Sequence, residues 1–256
     1  MLKHSLSLIA VPEMPLVVPD DDLAAILMEA MDRGEITPAN QDVLVVAQKI
    51  VSKAEGRYVN LSDVAPSERA RRLSKAVDKD PRLVELILAE SEEVVRYKPG
   101  VLVVAHRIGV VLANAGINHS NVGHSDGEER VLLLPRNPDA SAAALKAQLE
   151  AHYAIELGVI ISDSVGRAWR NGTVGIALGA AGLPALCDLT GRADLFGRPL
   201  QTTQTGFADE LASAASLLMG QANEGLPAVL ICGLEWQASD LDTRALQRPK
   251  EQDMFR

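Results

Sequence analysis

Residues 158–182 read GVIISDSVGRAWRNGTVGIALGAAG, and the first six of them, GVIISD, set the fold class. A continuous apolar run ending in a carboxylate is the pattern of a buried strand that delivers one polar group at its end. The residues that follow are rich in glycine (Gly166, Gly172, Gly175, Gly179 and Gly182), with Arg167 and Arg170 among them. Glycine lets a backbone approach a ligand closely and turn its N–H groups on an anion, and two arginines add bidentate donors for phosphate or carboxylate. Asp163 is a hard oxygen donor of the kind that magnesium and manganese take. A plain glycine-rich turn with solvated arginines accounts for the same residues.

Outward from this strand, helical and extended patterns are mixed. PDASAAALKAQLEAHY (138–153) is a helix with Leu145 and Leu149 on one face, and VLVVAHR and VVLANAG are adjacent strands joined at the Ile108–Gly109 turn. Ser67 caps a helix that turns Ala70, Leu73 and Val77 inward, and Pro81 opens a second one over DPRLVELILAE. Nearer the N-terminus, Leu23, Ile26, Leu27 and Met31 form one helical stripe, with Asp20 as its cap and Gly34 as its stop. DVLVVAQ is a buried strand, and QKIVSKAEGR reads as an extended stretch with solvated Lys49, Lys53 and Arg57. Towards the C-terminus, Phe207, Leu211, Ala214 and Leu218 mark another helix, and AVLIC a further strand. This order points to an α+β fold rather than a regular βαβ wind. Residues 1–236 are expected as one domain, and the charged, aperiodic residues 237–256 as a loosely packed tail.

The composition narrows the partners. A net charge of −9 argues against nucleic acid and anionic membrane, and 3% aromatic residues leave few platforms for stacking bases. Cys187 and Cys232 fit neither a disulfide framework nor a paired metal site, so a reduced cytoplasmic setting is expected. The early apolar stretch is broken by Pro12, Pro15 and Pro19 and does not read as a signal peptide. The chain has no GxxxxGK[ST], no strand-linked GxGxxG, no HExxH and no GxSxG, so no familiar glycine loop would hold a nucleotide here.

Two more polar segments stand out. ANAGINHSNVGHS gathers Asn114, Asn118, His119, Ser120, Asn121 and His124 after a strand, although plain turn chemistry also explains it. MGQANEGLP sets Gln221, Asn223 and Glu224 between Gly220 and Gly225, and a helix C-cap explains much of that.

VPEMPLVVPDDDL, DVLVVAQKIVSKAEGR, DPRLVELILAES, ANAGINHSNV, LLLPRNPDASA, ISDSVGRAWRNGTVGIALGAAG, GRPLQTT and DELASAASLLMGQANEGLP occur in this order. That series resembles the γ-glutamyl ligases of the deazaflavin coenzyme F-420, in their stand-alone form without a nitroreductase domain. The resemblance implies a family-specific α+β fold, a homodimer, and GTP-dependent joining of L-glutamate to the phospholactyl carboxylate of coenzyme F-420-0. The expected route is an acyl phosphate, with Mg²⁺ or Mn²⁺ required, K⁺ assisting, and further γ-linked glutamates as an extension.

Carried over by position, the resemblance places GTP against Val11, Pro12, Glu13 and Met14, against Gln48, Lys49 and Lys53, and against Asn121. The last nucleotide stretch is Met219, Gly220, Gln221, Ala222, Asn223, Glu224, Gly225 and Leu226. Metal positions fall on Asp163, Ser164, Gln221 and Asn118. At Asn118 the family has an aspartate, and an amide offers oxygen without charge. Asp126, Glu128 or Glu129 in the following loop could compensate. Two alternatives stay beside this reading: the same ligase chemistry on another acceptor, and a non-catalytic nucleotide-binding paralogue.

Overall fold

The computed structural model describes residues 5–119, 122 and 129–253. In chain order its first elements are β1 (Ser7–Ala10), α1 (Leu23–Arg33), β2 (Val43–Ala47), α2 (Gln48–Ala54) and β3 (Tyr58–Asn60). Then come α3 (Glu68–Val77), α4 (Pro81–Ala89), β4 (Ser91–Lys98), β5 (Val101–His106), β6 (Val111–Ala113) and β7 (Arg130–Leu132). The remainder is α5 (Pro138–Tyr153), β8 (Gly158–Arg167), β9 (Arg170–Ala181), β10 (Cys187–Asp188), β11 (Gln204–Thr205), α6 (Phe207–Met219) and β12 (Ala228–Cys232).

The main sheet has the order β1-β12-β2-β8-β9, with β2 and β8 parallel and every other neighbour antiparallel. Its strands alternate as a doubly covered sheet must. Leu44, Val46, Val159, Ile161 and Leu230 face one side, where Leu27, Met31, Leu145 and Leu149 of α1 and α5 meet them. Val43, Val45, Ile160, Val229 and Ile231 face the other, against Leu211 and Ala212 of α6. A second, smaller body pairs β4-β5-β6 and β3-β7 and packs them on α3 and α4 through Val77, Val84, Ile87, Leu102 and Val131. The architecture is α+β, as expected. No helix among the described residues is long and apolar enough to cross a membrane.

Local chemistry explains most element ends. The Ser67 side chain accepts the Ala70 N–H at 3.2 Å, and Pro81 sits in the first turn of α4 behind an Asp80 cap. The first helix is capped by Asp22, not Asp20: its carboxylate accepts the Ala25 N–H at 3.1 Å, and Asp20 lies in the preceding turn with φ 68°. QKIVSKA is α2, a helix, where an extended stretch was expected. Gln48, Ile50, Val51 and Ser52 are buried on it, a helical spacing that the flanking lysines mask in the sequence.

The glycine-rich segment also differs from its reading. The strand does not end at Asp163; it continues through Arg167 and returns as β9, a long hairpin. Gly175 and Gly179 are spaces for helices rather than for a ligand. A Cβ on Gly175 would strike the Ala212 carbonyl of α6, and one on Gly179 the Pro138 carbonyl at the start of α5. This close crossing sets which face of α6 is buried: Ala208, Leu211, Ala212 and Ala215. Leu218, expected inside, is 36% exposed and Leu217 82%. Small residues make the contact because the backbones nearly touch.

The outer edge of β9 is closed by carboxylates from the same helices. Asp209 accepts the Ala177 N–H at 2.8 Å, and Asp139 the Ala180 N–H at 2.9 Å. Such capping removes an exposed sheet edge. In the stretch expected as a tail, Thr243 is buried and its backbone N–H donates to Asp139 at 3.2 Å. Trp236 and Gln41 exchange two hydrogen bonds, at 2.7 and 2.9 Å, and the Gln247 amide donates to the Ile108 carbonyl at 2.8 Å.

Candidate active site

The register of the main sheet brings four of the sequence segments to one end. Ala10 closes β1 opposite Val229, at the start of β12. Ala228 stands opposite Val46, and Ala47, the last residue of β2, opposite Ser162. The Val11 N–H donates to the Ala228 carbonyl at 2.9 Å, and the Ala47 N–H to the Pro227 carbonyl at 2.8 Å. The stretches Val11–Met14, Gln48–Lys53, Asp163–Ser164 and Met219–Leu226 therefore share one rim.

Asp163 is the chemical centre of that rim. It faces α2, close enough to the Gln48 amide and the Lys49 ammonium for both to lower its pKa. Burial outweighs them and the Ser164 backbone N–H together, and pushes the carboxyl up to about 6. A carboxylate held this far from water gains from a cation brought to it. Ser164 does not share its face. Asp163 pairs with Ile176, which packs beside Leu112 and Leu134, whereas Ser164 pairs with Gly175 under α6. Neighbouring strand residues project oppositely, so this pair addresses both sides of the sheet. Ser162 shares the α6 face, with its hydroxyl 4.0 Å from the Met219 sulfur.

The helix α2 supplies positive charge and one orphan donor. Burial, then the neighbouring Lys49, lowers the pKa of Lys53. Gln48 is 1% exposed; its Oε1 accepts the Ser52 hydroxyl at 2.9 Å, while its Nε2 has no hydrogen-bond partner among the described residues. An unpaired buried amide costs about 1–3 kcal/mol, and an acceptor that Gln48 already approaches is the Asp163 carboxylate, whose pKa it helps to lower.

The other wall is the loop after α6. Met219 is its last helical residue, Gly220 the cap, and residues 221–225 are exposed. The Glu224 carboxylate accepts the Ala222 N–H at 2.8 Å, and backbone N–H groups hold its pKa below the ordinary range. On the remaining wall, Glu13 takes φ 52° and its carbonyl accepts Arg33 at 3.2 Å.

Two groups of expected residues stand apart from this rim. Arg167 and Arg170 pair with each other at the exposed tip of the β8–β9 hairpin, four strand residues or ~13 Å beyond Asp163. Asn118 lies outside the main sheet. Its backbone exchanges two 2.9 Å bonds with Leu132, and its Nδ2 donates to the Gly116 carbonyl at 2.7 Å. An ionised aspartate could not make that last bond, so this amide serves its own loop. Asn121, Ser120, His124, Asp126 and Glu128 fall outside the described residues, and no group of three or more His, Cys, Asp or Glu able to hold a metal occurs among the described ones. Glu129 is described; it pairs with Arg82 at 2.7 Å.

Sequence reading missed a buried charge cluster behind the rim. Glu90 pairs with Arg57 at 3.0 Å and Arg107 at 2.9 Å, with His106 at 3.6 Å. Burial opposes ionisation of Glu90, but His106, Arg57 and Arg107 hold its pKa below the ordinary value. Arg57 also donates to the Leu134 carbonyl, which ties the small body to the end of α2. The signal in the sequence was His106 and Arg107, two polar residues that interrupt an apolar run. A cavity of about 880 Å³ lies elsewhere, between α5 and residues 239–247. Its cations are mostly taken, Lys146 by Glu150 at 2.7 Å and Arg244 by Asp242 at 2.6 Å.

Fold and rim together define an α+β protein with a carboxylate, an amide and two lysines gathered at its strand ends. The family model described as F420-0:Gamma-glutamyl ligase matches residues 12–233. A protein of Methanothermobacter thermautotrophicus named Coenzyme F420:L-glutamate ligase is 47% identical over 253 residues, 98% of this chain and 99% of its own length. Proteins of the same name from Methanopyrus kandleri and Archaeoglobus fulgidus are 42% and 40% identical, and each alignment covers 93% of the relative and at least 94% of this chain. The chain belongs to the F420-0:gamma-glutamyl ligase family.

Proposed function

We propose that this chain is a GTP- and divalent-metal-dependent ligase that joins L-glutamate to the phospholactyl carboxylate of coenzyme F-420-0. The observation that carries the reading is the meeting of Val11–Met14, Gln48–Lys53, Asp163 and Met219–Leu226 on one rim. The description of the family supports F420-0 as the acceptor, and the names of the relatives support coenzyme F420 and L-glutamate.

The Asp163 carboxylate and the Gln221 amide offer oxygen ligands that suit a hard cation, while the Ser164 hydroxyl, on the opposite face of the sheet, would serve a second one. Mg²⁺ or Mn²⁺, when bound, would neutralise phosphate charge. Lys49 and Lys53 supply fixed positive charge for the same phosphates, and Lys53, already half desolvated, gains most from an anion beside it. The acceptor carboxylate attacks the γ-phosphorus and GDP leaves; the glutamate amine then displaces phosphate from the acyl phosphate. Residues 11–14 and 219–226 hold the nucleotide from both sides. K⁺ belongs to this proposal without an assigned ligand.

The homodimer belongs to it as well. Trp169, Leu195 and Phe196 are 89%, 99% and 87% exposed, which is apolar surface fit for a second copy. Asn118 favours one variation, in which a cation is held more weakly than in relatives with aspartate there.

The test is incubation with GTP, Mg²⁺, K⁺, L-glutamate and F-420-0, followed by mass spectrometry and phosphate release. One glutamate added per GTP consumed is expected. Absence of product with all components present overturns the proposal, and a product with another acid or amine replaces its acceptor.

A further inference from the structure

We propose that Asn171 is a site of self-modification, where the backbone nitrogen of Gly172 expels the side-chain amide as ammonia and leaves an aspartate or isoaspartate. Asn171–Gly172 is the one place in the chain where glycine follows asparagine. Glycine has no Cβ to hinder its own nitrogen as that atom swings towards the asparagine side chain. A Cβ built on Gly172 would meet nothing within 4 Å, so the space around the pair is open.

The hairpin leaves both residues unconstrained. Arg167 of β8 stands opposite Arg170 of β9, and Gly166 opposite Thr173, so Asn171 and Gly172 bulge out with no residue facing them. β9 is an edge strand of its sheet, and residues 166–173 are all exposed. Arg167 donates to the Gly172 carbonyl at 3.3 Å, which touches neither reacting atom. The side chain is loose as well. Asn40, Asn60, Asn114 and Asn137 accept hydrogen bonds through their amide oxygens, and Asn118 donates through its nitrogen. No such bond holds the Asn171 side chain among the described residues.

The reaction is a ring closure followed by hydrolysis. The Gly172 nitrogen gives up its proton to hydroxide and attacks Cγ of Asn171; the bond from Cγ to the side-chain nitrogen breaks, and ammonia departs. Water then opens the five-membered imide at either of its two C–N bonds, which yields a normal or a β-linked aspartate. Either product sets a carboxylate beside Arg167 and Arg170, and the net charge of −9 becomes more negative by one. The hairpin tip lies apart from the rim, so this chemistry does not depend on what the rim binds.

The experiment is storage of the full chain at mildly alkaline pH, followed by tryptic mass spectrometry and ion-exchange chromatography against a zero-time sample. The peptide 171–192, released by cleavage after Arg170, is expected to become one mass unit heavier. Asn223, exposed in the loop after α6 and followed by Glu224, is the comparison. Asn171 is expected to convert about tenfold faster or more, since the residue after it has no side chain. The folded chain is expected to convert within about threefold of its rate in urea, because the bulge holds neither reacting group. Asn171→Gln is expected to lack the acidic chromatographic form, since its longer side chain must close a six-membered ring. An Asn171 no faster than Asn223 overturns the proposal. So does a folded chain more than about tenfold slower than the unfolded one, the result that a tip covered by a second copy would give.

Discussion

Replacing Asp163 by asparagine keeps the side-chain shape and removes a charge that the fold pays to hold. In the unfolded chain this carboxyl ionises near 3.8, and in the folded protein burial delays ionisation to about 6. Below about pH 3.8 both states are protonated, and the group costs nothing. Between the two values the folded state binds more protons than the unfolded one, so stability falls as pH rises. Above about pH 6 the whole penalty stands. At about 1.4 kcal/mol for each tenfold change in ionisation, it amounts to roughly 3 kcal/mol. Without metal or nucleotide, Asp163→Asn is therefore expected to be more stable than the parent at about pH 7.5, by up to ~3 kcal/mol or ~6–12 °C in melting temperature. The gain should vanish near pH 3.5. Urea denaturation in a chelating buffer at several pH values measures it directly. Equal stabilities throughout, or a variant weaker at pH 7.5, would show that Asp163 is not desolvated as described. The same variant is expected to lose ligase activity, a residue costly to the fold and needed by the site.

Three further outcomes follow from the packing and the charges. Gly179→Ala puts a methyl group into the Pro138 carbonyl. It should cost about 3 kcal/mol, seen as a melting temperature lower by ~6–12 °C. Glu90→Ala leaves Arg57 and His106 buried beside an empty place, and a loss of about 3–5 kcal/mol is expected near neutral pH. Because Glu90 is held below its ordinary 4.5, that difference should shrink as pH falls through and below this value, as acid titration of both proteins would reveal. Asn118→Asp removes the donor to the Gly116 carbonyl, at about 1 kcal/mol. It should also tighten Mn²⁺ binding by titration calorimetry; unchanged affinity would place residue 118 away from any cation.

Where local chemistry decides structure, the sequence was readable. Ser67 caps α3, Pro81 opens α4, and Leu145 and Leu149 of α5 are buried as their spacing requires. Reading failed where a partner distant in sequence decides. Nothing near Gly175 or Gly179 announces a helix overhead, so the glycines suggested a ligand loop, and the alanine face of α6 lost to its larger leucines. Three consecutive aspartates hid which one caps α1. The site segments were identified through family resemblance, and their meeting on one rim follows from strand register, which no single segment contains. Arg57 and Glu90 stayed invisible because each looks solvated alone, and 33 residues separate them.

The place of Asp163 follows from where its neighbour stops. β2 and β8 run side by side until Ala47 meets Ser162, and there β2 turns at once into α2. One position earlier, at Ser162, a carboxylate would lie within the five-stranded core under α6, with an apolar strand on each side. Several positions later it would stand on the open β8–β9 hairpin, solvated and with an ordinary pKa. Asp163 is the first residue past the last ladder pair, still shielded by β9 and α2 but bordered by a strand edge that has lost its partner. A half-desolvated lysine and a buried amide gather at that same break. A buried charge is tolerated there because its cost can be repaid by a ligand, and the repayment is what binding at this rim would consist of.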